Sequence, residues 1–248
     1  MNPPRIRALL MAGLLLLASA CAATEAREGD NDPLQGMNRF FFGVNHVVDS
    51  FLFKPVSGTY VAIVPKPARQ GVTNFYYNLT YPGVFLNDFL QGKFHQGGND
   101  FLRFLINSTI GIGGLLDVAS SMGFERHEED FGQTLAVWGA GDGPYLVLPL
   151  FGPTTVRDAP GIGVSAVTNP AFYIDNDGII IPLTVIQAID RRARGEKGLE
   201  TIEKAVDPYI FMREAYRQHR QFLIYDGNPP QEEVLQGLEE DLQSLEDD

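Results

Sequence analysis

The feature that most limits how this 248-residue chain can fold is the shortness of its apolar stretches. Beyond the first twenty residues no run of 18 uncharged apolar residues occurs, so none reads as a standard membrane-spanning helix. Charges, 16 prolines and 26 glycines cut the apolar segments into pieces. Several pieces are nevertheless greasier than an aqueous helix needs. The segment 37–53 (MNRFFFGVNHVVDSFLF) puts apolar residues on nearly every helical face, and Pro55 is expected to end it. A helix apolar all round is either buried in a core or faces lipid. Phe40, Phe41, Phe42, Phe51 and Phe53 are therefore membrane-facing candidates, as is the cluster Ile179, Ile180, Ile181, Leu183, Val185 and Ile186. Pattern alone suits an ordinary core as well. What favours lipid is the N-terminus.

Arg5 and Arg7 precede an apolar run, residues 8–17, of signal-peptide length. Ala18, Ser19 and Ala20 then lead to Cys21, the only cysteine. This resembles a bacterial lipobox, although Ala18 stands where Leu is usual. Ala18-Ser19-Ala20 also reads as an ordinary small-residue cleavage site, and both readings cut before Cys21. Only lipidation explains why a lone cysteine sits there, because a free thiol is a liability in an oxidising compartment. An acylated cysteine anchors stably, each buried CH₂ contributing roughly 0.8 kcal/mol. The residue after it is Ala22 rather than Asp, which in bacterial lipoproteins implies export to the outer membrane. An anchor that already holds the body at a bilayer makes shallow insertion of short greasy helices cheap.

The expected organisation is a signal peptide over 1–20, a small polar tether over 21–31, one domain over 32–226 and a tail over 227–248. The tail holds eight acidic residues from Pro229 onward, no Lys or Arg, and Leu235, Leu238, Leu242 and Leu245 at coiled-coil-like spacing. Periodicity in the body is mostly helical: segments begin at Lys66, Val84, Asn99, Leu199 and Pro208, with Asn99 a possible cap. Few clean strand patterns occur, and 145–150 (YLVLPL) reads as one short strand or an extended buried turn.

Chemistry-bearing motifs are missing. The net charge of −12 argues against nucleic acid, which needs Lys and Arg against phosphates. His46, His95, His127 and His219 form no metal-binding pattern, and Tyr173–Gly178 only superficially resembles a calcium loop. There is no G-x-S-x-G around Ser165 and no phosphate-loop Lys after any glycine cluster. Neither a catalytic residue nor a metal or other cofactor is expected.

One ordered set of short motifs spans the body. It runs Asp32-Pro33, Asn38-Arg39, Asn74-Phe75, Asn78-Leu79, Asn87 with Leu90-Gln91-Gly92-Lys93, Arg103-Phe104, Asn107-Ser108-Thr109 and Asp117-Val118-Ala119. It continues with Asp130-Phe131-Gly132-Gln133-Thr134-Leu135, Gly143-Pro144-Tyr145, Gly152-Pro153, Arg157-Asp158, Asp207-Pro208-Tyr209 and Arg213-Glu214-Ala215-Tyr216. In this order they resemble the MlaA (VacJ) family of outer-membrane lipoproteins. The resemblance implies a mainly α, ring-shaped, monotopic helical body with a central amphipathic channel and few or no strands. It implies association with trimeric porins, and a role in taking mislocalised phospholipid from the outer leaflet and passing it to a periplasmic carrier. On that reading Arg39, Arg103 and Arg157 can meet a lipid phosphate, or instead pair with acids such as Asp117 and Asp158. Gly111, Gly113 and Gly114 allow a bend or close backbone approach near a passage, or simple helix packing. Two other classes stay open: a structural lipoprotein bracing porins or the envelope, and a lipid-cleaving enzyme, for which no nucleophile and base stand out.

Overall fold

The computed structural model describes residues 32–230. Cys21, the leader, the tether and the leucine stripe of the tail lie outside them. The described chain is mainly helical, with one two-stranded sheet.

The first helical rod joins α1 (Gln35–Val48), a π-helical turn (Asp49–Phe53) and α2 (Lys54–Ile63). Pro55 does not end it, contrary to the sequence expectation. In the π turn Lys54 N–H donates to Asp49 O, a register one residue wider than an α-helix. That slip carries the chain past a residue with no N–H to give. The next rod, α3 (Lys66–Leu90), runs through Pro82 and fuses two segments expected to be separate. A tight turn leads to α4 (Phe94–Thr109), which starts at Phe94; Asn99 lies within it and caps nothing. The α3–α4 pair is the most extensive contact in the fold.

A glycine-rich turn and two short helices, α5 (Val118–Ser121) and α6 (Phe131–Val137), follow; Asp117 and Asp130 cap them by accepting from Ser120 N and Gln133 N. The hairpin comes next: β1 (Tyr145–Leu148) antiparallel to β2 (Gly152–Thr155), with Tyr145 opposite Thr155 and Leu148 opposite Gly152. The second strand was not foreseen, since Pro153 argues against an inner strand. It is tolerated because β2 pairs on one side only. The far edge of β1 is completed by α1. Asn38 donates to Tyr145 O (2.9 Å) and accepts from Val147 N (2.9 Å). Asn45 donates to Leu148 O (3.0 Å) and accepts from Leu150 N (2.8 Å). Seven helical residues rise about 10.5 Å and three strand residues span about 10 Å, so the two asparagines match the strand's spacing.

The chain closes with α7 (Ala159–Thr168), a 3-10 turn (Pro170–Tyr173), α8 (Asp177–Arg194), α9 (Glu196–Glu203) and α10 (Pro208–Ile224). The α8 rod packs on α2 and α3, and α10 reaches α6 and β2. No described helix is long and apolar enough to cross a membrane.

Candidate functional site

The distribution of side chains is inverted relative to a water-soluble domain. Among the described residues the fully buried positions are dominated by Asp, Asn, Thr and Arg, and the buried apolar ones are few and mostly tyrosines. Phe, Leu, Ile and Val crowd the surface instead. Helix α4 makes the point locally. It buries Gly97, Asp100, Arg103 and Asn107, one stripe at helical spacing, and exposes Phe94, Phe101, Leu102 and Leu105. In water such a helix would turn over, because Arg and Asp are almost never fully buried and apolar area seeks burial.

The interior is wired into networks. Arg103, only 2% exposed, donates to Tyr81 OH (2.6 Å), Phe124 O (2.6 Å) and Asp117 (2.5 Å). Asn107 donates to Asp117 and accepts from Ala119 N, both at 3.0 Å. Burial pushes the Asp117 carboxyl up, but hydrogen bonds from Ser120 and Asn107 and the charge of Arg103 outweigh it and hold it below the ordinary range. The glycine turn closes over this network. A Cβ on Gly111 would sit 2.3 Å from Leu116 O, and one on Gly114 (φ +93°) 2.5 Å from Asn78 Cβ. Gly113 (φ +67°) faces open space. Beside Arg103 is a small polar cavity of about 10 Å³, lined in part by Asn74, Tyr77, Asn78 and Arg126. It has room for about one water. Tyr77 there carries two guanidinium groups, Arg126 at 3.0 Å from the ring centroid and Arg194 at 4.8 Å.

A second network is acidic. Asp88 and Asp100 are fully buried, and each has one oxygen without a donor among the described residues. Burial, then the neighbouring Asp100 and Glu129, push Asp88 up to about 8. Asp88 therefore keeps its proton at neutral pH and can share it with Asp100. His127 donates toward Asp100 (2.9 Å), and that bond raises its own pKa. Lys93 bridges Glu129 (2.9 Å) and Asp226 (2.5 Å) at the rim.

Two further arginine networks flank the hairpin. Arg157 holds Asp158 (2.8 Å) and Asp142, and Arg220 joins Asp130 (2.5 Å) to Asp158 (3.0 Å). Gly132 packs so closely that a Cβ would meet Asp158 Oδ1 at 2.4 Å. Arg39 grips Asp207 with two bonds (3.2 and 2.6 Å) and lies 4.6 Å from the Tyr209 ring centroid. Tyr209 OH and Asn38 both donate to Asp32.

Of the arginines singled out from sequence, Arg39, Arg103 and Arg157 thus each hold a carboxylate, and they sit in separate networks. The phenylalanines divide. Phe40 and Phe51 project outward, at 65% and 83% exposure. Phe53 is half-buried. Phe41 and Phe42 pack on the Tyr145–Val147–Tyr209 cluster. Sequence reading missed Arg69 and the face of α2. Pro55, Val56, Thr59, Tyr60, Ile63 and Val64 line an open, largely apolar concavity of about 410 Å³. The readable signal was Lys66 and Arg69 in the first turn of α3, where a helix disfavours cations.

Residues 30–223 match the model of the MlaA lipoprotein family. The chain belongs to that family. Among its relatives is the intermembrane phospholipid transport system lipoprotein MlaA of Escherichia coli K12, 35% identical over 98% of both chains. The MlaA of Haemophilus influenzae is 34% identical, over 88% of this chain and 85% of that one. A solved structure from work on the structural basis for maintenance of bacterial outer membrane lipid asymmetry superposes with a TM-score of 0.69. It is 36% identical, covering 78% of this chain and 98% of that one. The MlaA motifs quoted from the sequence supply Asn38, Asn78, Asn87, Arg103, Asn107, Arg157, Asp158, Tyr209 and Arg213 to the buried set. Many of the motif residues that carry the resemblance are therefore buried polar ones in this chain.

Proposed function

We propose that this chain is an outer-membrane lipoprotein that removes mislocalised phospholipid from the outer leaflet and passes it to a soluble periplasmic carrier, a retrograde route that keeps the two leaflets different. The observation that carries this reading is the inverted body, apolar outside and polar inside. An apolar shell of short helices fits a body lying within a leaflet rather than spanning the bilayer. A phospholipid headgroup dragged through hydrocarbon loses its hydrogen bonds, at a cost of several kcal/mol. A ring-shaped body with a polar-lined central channel removes that cost, while the tails stay against apolar side chains.

On this reading residues 1–20 are removed, Cys21 is acylated, 21–31 tether the domain at 32–226, and 227–248 form an acidic tail. Trimeric porins hold the body in place. Membership of a family whose E. coli relative is named for intermembrane phospholipid transport supports the assignment. The chain acts as a passive conduit, and direction comes from its partners.

Deleting the gene from its host and assaying phospholipid at the cell surface tests the proposal. Phospholipid should accumulate in the outer leaflet and return to its ordinary level on re-expression, but not with Cys21→Ala. Unchanged asymmetry in the deletion strain would contradict the transport reading and favour a structural role. Release of fatty acid from labelled phospholipid by the purified protein would contradict the non-enzymatic one.

A further inference from the structure

The arginines of the interior are held by acids: Arg103, Arg157, Arg192, Arg213 and Arg220 are buried and each forms at least one ion pair. Arg69 departs from that pattern. It is half-buried and its Nε, like one Nη of Arg157 and the Nε of Arg220, is shut off from solvent without a hydrogen-bond partner; what sets it apart is the missing acid. Among the described residues its guanidinium makes no ion pair. A sequestered donor of this kind is costly unless something satisfies it. Its surroundings do not supply the partner. Asp190, the buried acid of this corner, already takes Thr73 (3.0 Å), Tyr60 OH (3.3 Å) and Arg194 Nε (3.0 Å). Thr73 lies four residues beyond Arg69, on the same face of α3.

Arg69 follows the wall of the α2 concavity along the chain. Val64, part of its wall, begins the bend into α3, and Arg69 stands one helical turn past that bend, where its N–H donates to Pro65 O (3.1 Å). Tyr60, also in the wall, feels the charge of Arg69. Val56, Ile63, Thr59 and Tyr60 thus line an open, largely apolar trough of about 410 Å³, and Arg69, outside that lining, follows its wall residue Val64 by five positions. That combination suits a ligand with an apolar chain and an anionic head. Guanidinium matches phosphate in both charge and geometry.

We propose that the α2–α3 corner is a phospholipid subsite in which Arg69 holds the phosphate diester and the α2 face holds the first part of an acyl chain. The inference rests on the phospholipid-transfer reading and adds a residue to it. A photoreactive amino acid at Thr59, in the full lipidated chain reconstituted in phosphatidylglycerol vesicles, tests it. Lipid should crosslink at this position, and Arg69→Gln should reduce the yield about tenfold or more, with Arg69→Lys in between. Diacylglycerol with the same acyl chains should crosslink weakly and be indifferent to Arg69. Full crosslinking with Arg69→Gln would overturn the proposal. So would equal capture of diacylglycerol, or displacement of the lipid by equimolar inorganic phosphate, which would mark a site for a free anion. A second probe at Leu102, on the apolar exterior, separates the two readings. Lipid caught at Leu102 but not at Thr59 sinks the subsite alone; lipid caught at neither sinks the transport reading. Among the described residues Arg69 has no ion-pair partner to lose, so Arg69→Gln should melt at or above the wild-type temperature. A melting temperature lowered by many degrees would make Arg69 a structural residue and would also overturn the proposal.

Discussion

Asp88 lies sealed between Asp100 and Glu129, and its protonation gives the interior a readable pH dependence. The folded chain holds that proton to about pH 8, whereas an unfolded aspartate releases it near 3.8. Between those limits the folded state binds more protons, so the contribution is whole below the lower value and is lost as pH rises, at most about 1.4 kcal/mol per pH unit. Asp88→Asn keeps an acceptor for Gln96 and a donor toward Asp100, and it should flatten the fall; urea unfolding of both proteins between pH 5 and 9 checks this. A truncation at Arg103 acts through charge. Arg103→Ala strands Asp117 and should cost about 3–5 kcal/mol. Adding Asp117→Ala should recover part of that loss in a double-mutant cycle. The glycine turn yields a paired comparison. Gly113→Ala and Gly114→Ala both force a side chain into left-handed backbone, but only the second meets Asn78, so it should lower the melting temperature clearly more.

At the scale of elements, the junction of α1 with the hairpin is the most exposed to test. Asn38→Ala leaves Tyr145 O and Val147 N buried without partners, and a loss of about 2–4 kcal/mol is expected. Hydrogen exchange should show it first at the Val147 amide, while α3 and α4 keep their protection. Helices were legible where a cap or break acts locally. The α10 segment was readable because Asp207 caps Tyr209 and Ile210 and Pro208 sits in the first turn, where its missing N–H costs nothing. The boundaries misread at residue 53 and between residues 77 and 84 share one cause. Pro55 and Pro82 ordinarily stop helices, yet both lie inside helical rods here, as does Pro182. Packing pins the α3–α8 pair across two of these breaks, with Tyr76 OH donating to Leu183 O at 2.6 Å, and local propensity cannot register such a contact. The strand edge on Asn38 and Asn45 was equally hidden, because a helix serving as the neighbour of a strand leaves no alternating pattern.

Over the whole molecule, the inversion of polarity was only half legible. Greasy helices were visible as such, and Phe40 and Phe51 do face outward. Burial of Asp100, Arg103 and Asn107 was not visible, because an amphipathic stripe looks the same whichever face is turned inward. Deciding between faces needs the solvent, and sequence periodicity does not name it. If the solvent is lipid, each exposed Phe or Ile contributes roughly 1.5–3 kcal/mol by leaving water, and the polar networks are strengthened by the dry surroundings that would otherwise penalise them. Everything therefore depends on where the apolar shell resides. The direct measurement attaches a nitroxide in turn at Phe51, Leu102 and Ile181, with Asp142 at a turn as the aqueous control, in the lipidated protein reconstituted into vesicles. Relaxation by oxygen, which concentrates in hydrocarbon, should exceed relaxation by a water-soluble nickel chelate at the three apolar sites and fall below it at Asp142. Greater access for the chelate at all four sites would place the body in water and contradict the account.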